Sequence, residues 1–192
     1  MRIFIAIEIN YELKAELGAI QEKLRPAGAD AKWVKPENIH LTLRFIGEID
    51  EQRMKDVNEA ATKAFTGIES FSMSLGEAGA FPDTEYPRVL WVGIKYGATN
   101  LKALADRIEK ELVDKNFGNA DKPFSPHMTI ARLRTYRNAQ KLAQMLSLVK
   151  VPAVSQKVEN VSIIQSSLTP SGPIYTNIHK VKLKTDSGIE IN

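Results

Sequence analysis

The sequence predicts an α+β fold of two lobes, with mostly antiparallel sheets flanked by helices and one cleft between them. Three observations lead there. Short segments of alternating apolar and polar residues, the period of a half-buried strand, are interspersed irregularly with segments whose apolar residues recur every three or four positions, the period of a helix face. Several intervals between strands are too short to hold a crossover helix, which favours antiparallel pairing. One strand pattern also occurs twice. His-Leu-Thr-Leu-Arg-Phe runs from His40 to Phe45 and His-Met-Thr-Ile-Ala-Arg from His127 to Arg132, each with a proline four residues before its histidine, Pro36 and Pro123. The spacing of the two copies is too long for a solenoid and hints at an internal duplication.

In chain order, Arg2 to Glu8 reads as an apolar strand. Asn10 suits the cap of a helix whose inner face is Leu13, Leu17, Ile20 and Leu24, ended by Pro26 and Gly28. Lys32 to Val34 reads as a short strand, and the first His-x-Thr strand follows, closed by Gly47. Asp50 opens a second helix with Met54, Val57, Ala61, Ala64 and Phe65 inward. Phe71, Met73 and Leu75 alternate as a strand, and Gly76 to Pro87, rich in Gly and Pro, reads as a loop carrying Phe81 and Tyr86. Arg88 to Tyr96 is a strongly apolar strand. Thr99 is the expected cap of a third helix, with Leu101, Leu104, Ile108 and Leu112 inward. A loop from Phe117 to Pro126 leads into the second His-x-Thr strand. Asn138 is the expected cap of a short fourth helix carrying Leu142, Met145 and Leu146. Val158 to Gln165 and Ile174 to Lys184 read as strands around the turn Thr169-Pro170-Ser171-Gly172-Pro173. No linker composition divides the chain, so residues 1–192 are expected to form a single two-lobed domain.

Composition narrows the chemistry. The chain has 192 residues, 43% of them hydrophobic and 26% charged, which is ordinary for a globular protein large enough to bury a sizeable core. It has no cysteine, which excludes disulfides, thiolate catalysis and thiolate-bound zinc, and fits a reducing cytosol. No apolar run has the length of a signal peptide core or a membrane span, so a cytoplasmic protein without a membrane partner is expected. A net charge of +3 is too small for a protein that coats duplex nucleic acid, but it is compatible with a locally held anion.

The repeated motif carries the functional signal. Ideal alternation places His40, Thr42 and Arg44 on one face of their strand and Leu41, Leu43 and Phe45 on the other. In the second copy it places His127 and Thr129 together, with Met128 and Ile130 behind them. Two imidazoles on two strands suit a general acid and a general base at one reaction centre. The threonine hydroxyls and nearby arginines suit the oxygens of a phosphodiester better than a neutral carbonyl. One His-x-Thr strand alone is usually structural. Two copies that use two of only three histidines reverse that balance. A zinc site is disfavoured, because each strand supplies one ligand and no carboxylate completes the set. His179 lacks such a setting and reads as a strand or surface residue; Lys180, Lys182 and Lys184 read as a solvated strand face. Arg132, Arg134 and Arg137 form a basic cluster beside the second histidine, suited to a phosphate or RNA contact. Phe4, Phe81 and Tyr86 read as core residues, unless one of them lies at the cleft rim and stacks a base.

With those residues in view, the chain resembles the two-histidine phosphoesterase superfamily, in the branch of RNA 2',3'-cyclic phosphodiesterases also called 2'-5' RNA ligases. The resemblance spans the opening Arg2-Ile3-Phe4-Ile5-Ala6-Ile7, the segment from Trp33-Val34 to Gly47, Ser125 to Arg132, and Ser167-Leu168-Thr169-Pro170-Ser171-Gly172-Pro173-Ile174-Tyr175. It implies two lobes related by a pseudo-twofold axis, with one histidine from each in a V-shaped cleft. It further implies opening of a terminal 2',3'-cyclic phosphate to a 2'-phosphate without metal or other cofactor. On that resemblance His40 is the proton donor to the leaving 3'-oxygen and His127 the proton acceptor that activates water, while Thr42, Thr129 and Arg132 bind the phosphate. Ideal alternation puts Arg132 on the face opposite His127, a conflict that a bulge would resolve. The expected partners are RNA ends or small cyclic-phosphate nucleotides, acted on by a monomer. Other activities stay open on the same residues: 2'-5' joining of RNA ends such as tRNA halves, hydrolysis of a small cyclic nucleotide or a 2'-5' oligoadenylate, and non-catalytic binding of an RNA end.

Overall fold

The structure, a computed structural model, describes residues 1–170 and 172–185. Its elements run β1 (Arg2–Glu8), α1 (Tyr11–Leu24), β2 (Ala31–Trp33), β3 (His40–Glu48), α2 (Glu51–Phe65), β4 (Phe71–Phe81), β5 (Val89–Ile94), α3 (Ala98–Asp114), β6 (His127–Leu133), α4 (Ala139–Ser147), β7 (Ser155–Val158), β8 (Asn160–Thr169) and β9 (Gly172–Lys182). Asn10 accepts the Leu13 N–H at 2.9 Å and Asp50 accepts the Arg53 N–H at 2.8 Å, so the first two helices start at the expected caps. The other two lack a side-chain cap. Gly97, at φ 82°, precedes α3 and leaves Thr99 inside its first turn, and Asn138 precedes α4 in the left-handed region, at φ 55°, without capping it. The Asn138 amide donates instead to the Gly28 carbonyl.

Two sheets carry the fold, in the orders β3-β1-β8-β9 and β2-β6-β5-β4-β7, with every strand pair within them antiparallel. Read outward from its histidine strand, the first sheet is β3-β1-β8-β9 and the second β6-β5-β4-β7, with β2 added beyond β6. The two orders match strand for strand, as a pseudo-twofold relation between the lobes requires. Each sheet also takes strands from the opposite half of the chain, β8 and β9 in the first and β2, β4 and β5 in the second. One continuous apolar core lies behind both sheets, joining Ile3, Ile5 and Leu41 to Leu90, Met128 and Ile130. A smaller cluster of Phe4, Ala6 and Ile164, with Tyr175 against it, lies on the other face of the first sheet.

One expectation needs correction, and two segments need comment. The segment Gly76 to Pro87 is not all loop, because β4 continues to Phe81 and only residues 82–88 connect it to β5. Glycine there permits a close approach rather than a turn. A Cβ at Gly79 would clash with the Trp91 ring, and one at Gly76 would lie 2.9 Å from the β5 backbone. The short strand β7 has no clear alternating pattern in sequence and exists by pairing with β4. The turn around Pro170 is described on both sides, but Ser171 lies outside the described residues, as do residues 186–192. Among the described residues no helix is long and apolar enough to cross a membrane.

Candidate active site

His40 opens β3 and His127 opens β6, so the two imidazoles start equivalent strands of the two sheets. Each ring is fixed in the same way. His40 Nδ1 lies 2.9 Å from the carbonyl of Asn38, and His127 Nδ1 lies 2.7 Å from that of Ser125, in each case two residues upstream. A carbonyl can only accept, so Nδ1 carries the proton in both rings and Nε2 is left for a reactant. The matched prolines belong to the segments that present those carbonyls. Pro36 opens the 3-10 turn Pro36–Asn38, which precedes His40.

Each histidine strand then breaks its alternation at the same place. Pairing with β1 passes over Leu43, and pairing with β5 passes over Ile130, the third residue after the histidine in each case. Such a bulge turns the following residues to the opposite faces from those that ideal alternation gives. In β6 the bulge sets Arg132 opposite Val89, as Thr129 is set opposite Trp91 and His127 opposite Gly93. Arg132 therefore joins the face of His127 and Thr129, which removes the conflict in the sequence reading. In β3 the same bulge reverses an expectation. Phe45 comes to the face of His40, its ring 5.8 Å from that of Phe4. Arg44 turns to the helix side, where its Nε donates to Glu109 of α3 at 2.6 Å and its guanidinium also donates to the Gly118 carbonyl. Arg44 is a tie between strand and helix, and neither a solvated residue nor part of the His40 face.

Aromatic rings hold both imidazoles. His40 stacks on Phe4 at 4.6 Å and meets Tyr175 of β9 edge-on at 5.2 Å. His127 meets Phe81 edge-on at 5.0 Å and Trp91 at 6.4 Å. Phe4 and Phe81 are thus supports of the site as well as packed residues. Tyr175, whose position alone in the sequence gave no sign of this role, packs against His40 and Phe4 from within the same sheet. It touches His40, and its hydroxyl lies in the field of Arg132 from the other sheet. Burial raises the Tyr175 pKa, with Arg132 and Arg2 opposing that rise. Burial also lowers both histidine pKa values, and the carbonyl contacts offset this in part. Lys14 pushes His40 lower still, and Arg132 does the same to His127.

Beside His40 lies a polar group that the sequence did not flag. Glu8 pairs across the sheet with His40. It accepts from Ser162 and Asn177, and Lys180 lies 3.2 Å away. Burial works against its charge, but those contacts outweigh burial and hold the carboxyl below its ordinary value. Lys180 is accordingly engaged on the His40 face instead of being a merely solvated strand residue. His179, as expected, stands apart from the site, half-buried beside Asn58, Glu59 and Thr62.

Comparison with known proteins adds a separate line of argument. The profile of the family described as LigT like Phosphoesterase matches the chain twice, over residues 7–91 and 92–175, so each match holds one His-x-Thr strand. An RNA 2',3'-cyclic phosphodiesterase of Methanothermobacter thermautotrophicus is 34% identical over 184 residues, covering 95% of this chain and 99% of the relative. One of Thermotoga maritima is 36% identical over 184 residues, covering 96% of each. The crystal structure of a Thermus thermophilus protein superposes with a TM-score of 0.80 at 28% identity, over 97% of this chain and 100% of that one. With the profile matched in both halves and relatives this similar along nearly its whole length, the chain belongs to the LigT-like phosphoesterase family.

Proposed function

We propose that this protein is a phosphodiesterase that opens the 2',3'-cyclic phosphate at an RNA end by proton transfer between two histidines. The observation that carries the reading is the matched pair of imidazoles, each starting an equivalent strand with Nδ1 bound to a carbonyl and Nε2 free. His127 Nε2 takes a proton from water as the water oxygen attacks phosphorus. The bond from phosphorus to the 3'-oxygen breaks on the opposite side, and His40 gives that oxygen its proton. The product carries a 2'-phosphate and a 3'-hydroxyl, with one water added. Thr42, Thr129 and Arg132 hold the non-bridging oxygens, the arginine through charge-assisted hydrogen bonds.

The equivalent positions Phe45 and Arg132 differ in chemistry, and this supports one orientation of substrate. Phe45 is 57% exposed on the His40 face and offers a ring to the terminal base, while Arg132 offers a cation to the phosphate. All of these groups come from one copy of the chain, so a monomer suffices. The relatives named RNA 2',3'-cyclic phosphodiesterase support the substrate class. We place the enzyme in the cytoplasm, where a chain without cysteine meets its RNA.

The test is mass spectrometry of an oligoribonucleotide ending in a 2',3'-cyclic phosphate, incubated with the protein in excess chelator. The expected product is heavier by one water and carries its phosphate on the 2'-oxygen. When a 5'-hydroxyl RNA is added, the hydrolysed end remains the main product. An unchanged substrate, or a dependence on one divalent ion, would overturn the proposal.

A further inference from the structure

The strand that carries His127 continues into a group of side chains that the proton-transfer scheme does not use. The loop of residues 82–88 leaves β4 at Phe81, whose ring touches His127, and returns at Arg88, whose backbone N–H donates to the Phe81 carbonyl at 2.8 Å. Arg88 Nε donates to the Tyr136 hydroxyl at 2.9 Å, and its guanidinium lies 4.9 Å from the centre of the Tyr136 ring. Tyr86 meets that same ring edge-on at 6.4 Å. Tyr136 itself follows the end of β6, where the Leu133 N–H donates to the Arg88 carbonyl at 2.9 Å. The cluster is therefore fastened to the strand that presents His127, Thr129 and Arg132.

Its surface has a particular chemistry. Tyr86 is 57% exposed and Tyr136 51%, so both rings keep accessible area. Arg88, Arg134 and Arg137 are exposed around them. Acidic groups lie nearby too, Glu85 in the loop among them, but among the described residues Arg88 and Arg137 form no ion pair with any of them. Asp83 is occupied by the N–H groups of Glu85 and Tyr86, which shapes the loop, and Asp30 lies 3.8 Å from Arg134. Fixed aromatic rings among arginines suit unstacked bases joined by phosphates, and rings already held in place lose little freedom on binding. The strand from His127 to Leu133 spans about 20 Å, a reach of a few nucleotides.

Resting on the reading of the chain as an RNA-end phosphodiesterase, we propose that Tyr86, Arg88, Tyr136, Arg134 and Arg137 form a platform for the single-stranded RNA leading to the terminal phosphate. Bases stack on the two tyrosines, and the arginines meet the phosphates between them. Such a platform tolerates any sequence, because every base has a face to stack.

The experiment compares two substrates. One is a 2',3'-cyclic mononucleotide, which fills only the cleft, and the other is an oligoribonucleotide with the same cyclic end. In the double variant Tyr86→Ala, Tyr136→Ala, the ratio of kcat/KM on the oligonucleotide to that on the mononucleotide is expected to fall about tenfold or more. In Arg134→Gln, Arg137→Gln the same ratio falls, and its dependence on salt becomes shallower. Fluorescence anisotropy with a labelled 3'-hydroxyl oligoribonucleotide measures the platform without any turnover, and the tyrosine variant should weaken that binding by a similar factor. Loss of binding in the tyrosine variant, in a parent that hydrolyses no cyclic phosphate, would sink the phosphodiesterase reading and keep the platform. Ratios and affinities within twofold of the parent in both variants would overturn the platform and leave the phosphodiesterase reading in place.

Discussion

His40 and His127 have the same tautomer but different neighbours, and their titration follows from those neighbours. Burial first, then Lys14 beside one and Arg132 beside the other, holds both below the ordinary histidine value of about 6.5. A base must be neutral, so activity rises as pH passes the His127 pKa. An acid must be protonated, so activity falls as pH passes the His40 pKa. In kcat/KM, which reports the free enzyme, both limbs should therefore lie below about 6.5, giving a bell centred on the acid side of neutrality. Once the anionic phosphate is bound it favours the imidazolium, so the falling limb in kcat should move to higher pH. Rate profiles of both parameters check this; a kcat/KM that keeps rising above pH 8 would contradict it. At this scale the placement of two histidines and two threonines on matching strands was legible in the sequence because a motif repeated them. Arg44 and Phe45 were misplaced because a bulge is a local break in period that composition does not announce. The contact of Tyr175 with His40 was not legible because it depends on the long-range pairing that sets β9 in the same sheet as β3.

Among the elements, β3 and β6 owe their usefulness to those bulges, and each has a support that can be removed. Arg44 joins β3 to α3 through Glu109, with side chains only 11% and 28% exposed. Arg44→Ala should cost about 1–3 kcal/mol of stability, measured by denaturant unfolding, because it leaves the half-buried Glu109 carboxylate with the Ala120 N–H but without its cation. Turnover of the folded variant should stay close to the parent, whereas a phosphate-binding Arg44 would lose activity first. In the second sheet the Trp91 ring lies over Gly79 and supports His127. Gly79→Ala should push that ring aside, costing about 1–3 kcal/mol and lowering kcat/KM together, as unfolding and steady-state rates would show. Helix faces and most strands were readable, since their periods are local. The extension of β4 through Gly76 and Gly79 was not, because glycine marks a loop in sequence but marks close approach once β5 lies against it. Asp50 capped as read because its side chain met the expected N–H, while Gly97 displaced Thr99 as the start of α3.

At the scale of the molecule, the exchange of strands between halves makes the lobes inseparable. β8 and β9 complete the first sheet, β4 sits in the second, and one core runs behind both. The chain should unfold as one two-lobed unit, with calorimetric and van't Hoff enthalpies equal; two resolved transitions would argue against this. The two lobes and mostly antiparallel sheets were legible because the His-x-Thr strand occurs twice, but the exchange was not, since strand order depends on long-range pairing. On the proposed function the same duplication divides the labour: an acid on one lobe and a base on the other can flank phosphorus in line. The most direct measurement uses a substrate whose leaving group is a nitrophenolate, which departs without a proton. On the natural cyclic ester, His40→Ala and His127→Ala should each lower kcat by about 10²–10⁴-fold, with the double variant little worse than either. On the nitrophenyl ester His40→Ala should recover most of its loss and His127→Ala should not. Rescue of His127→Ala instead would exchange the two roles, and rescue of neither would contradict the separate acid and base.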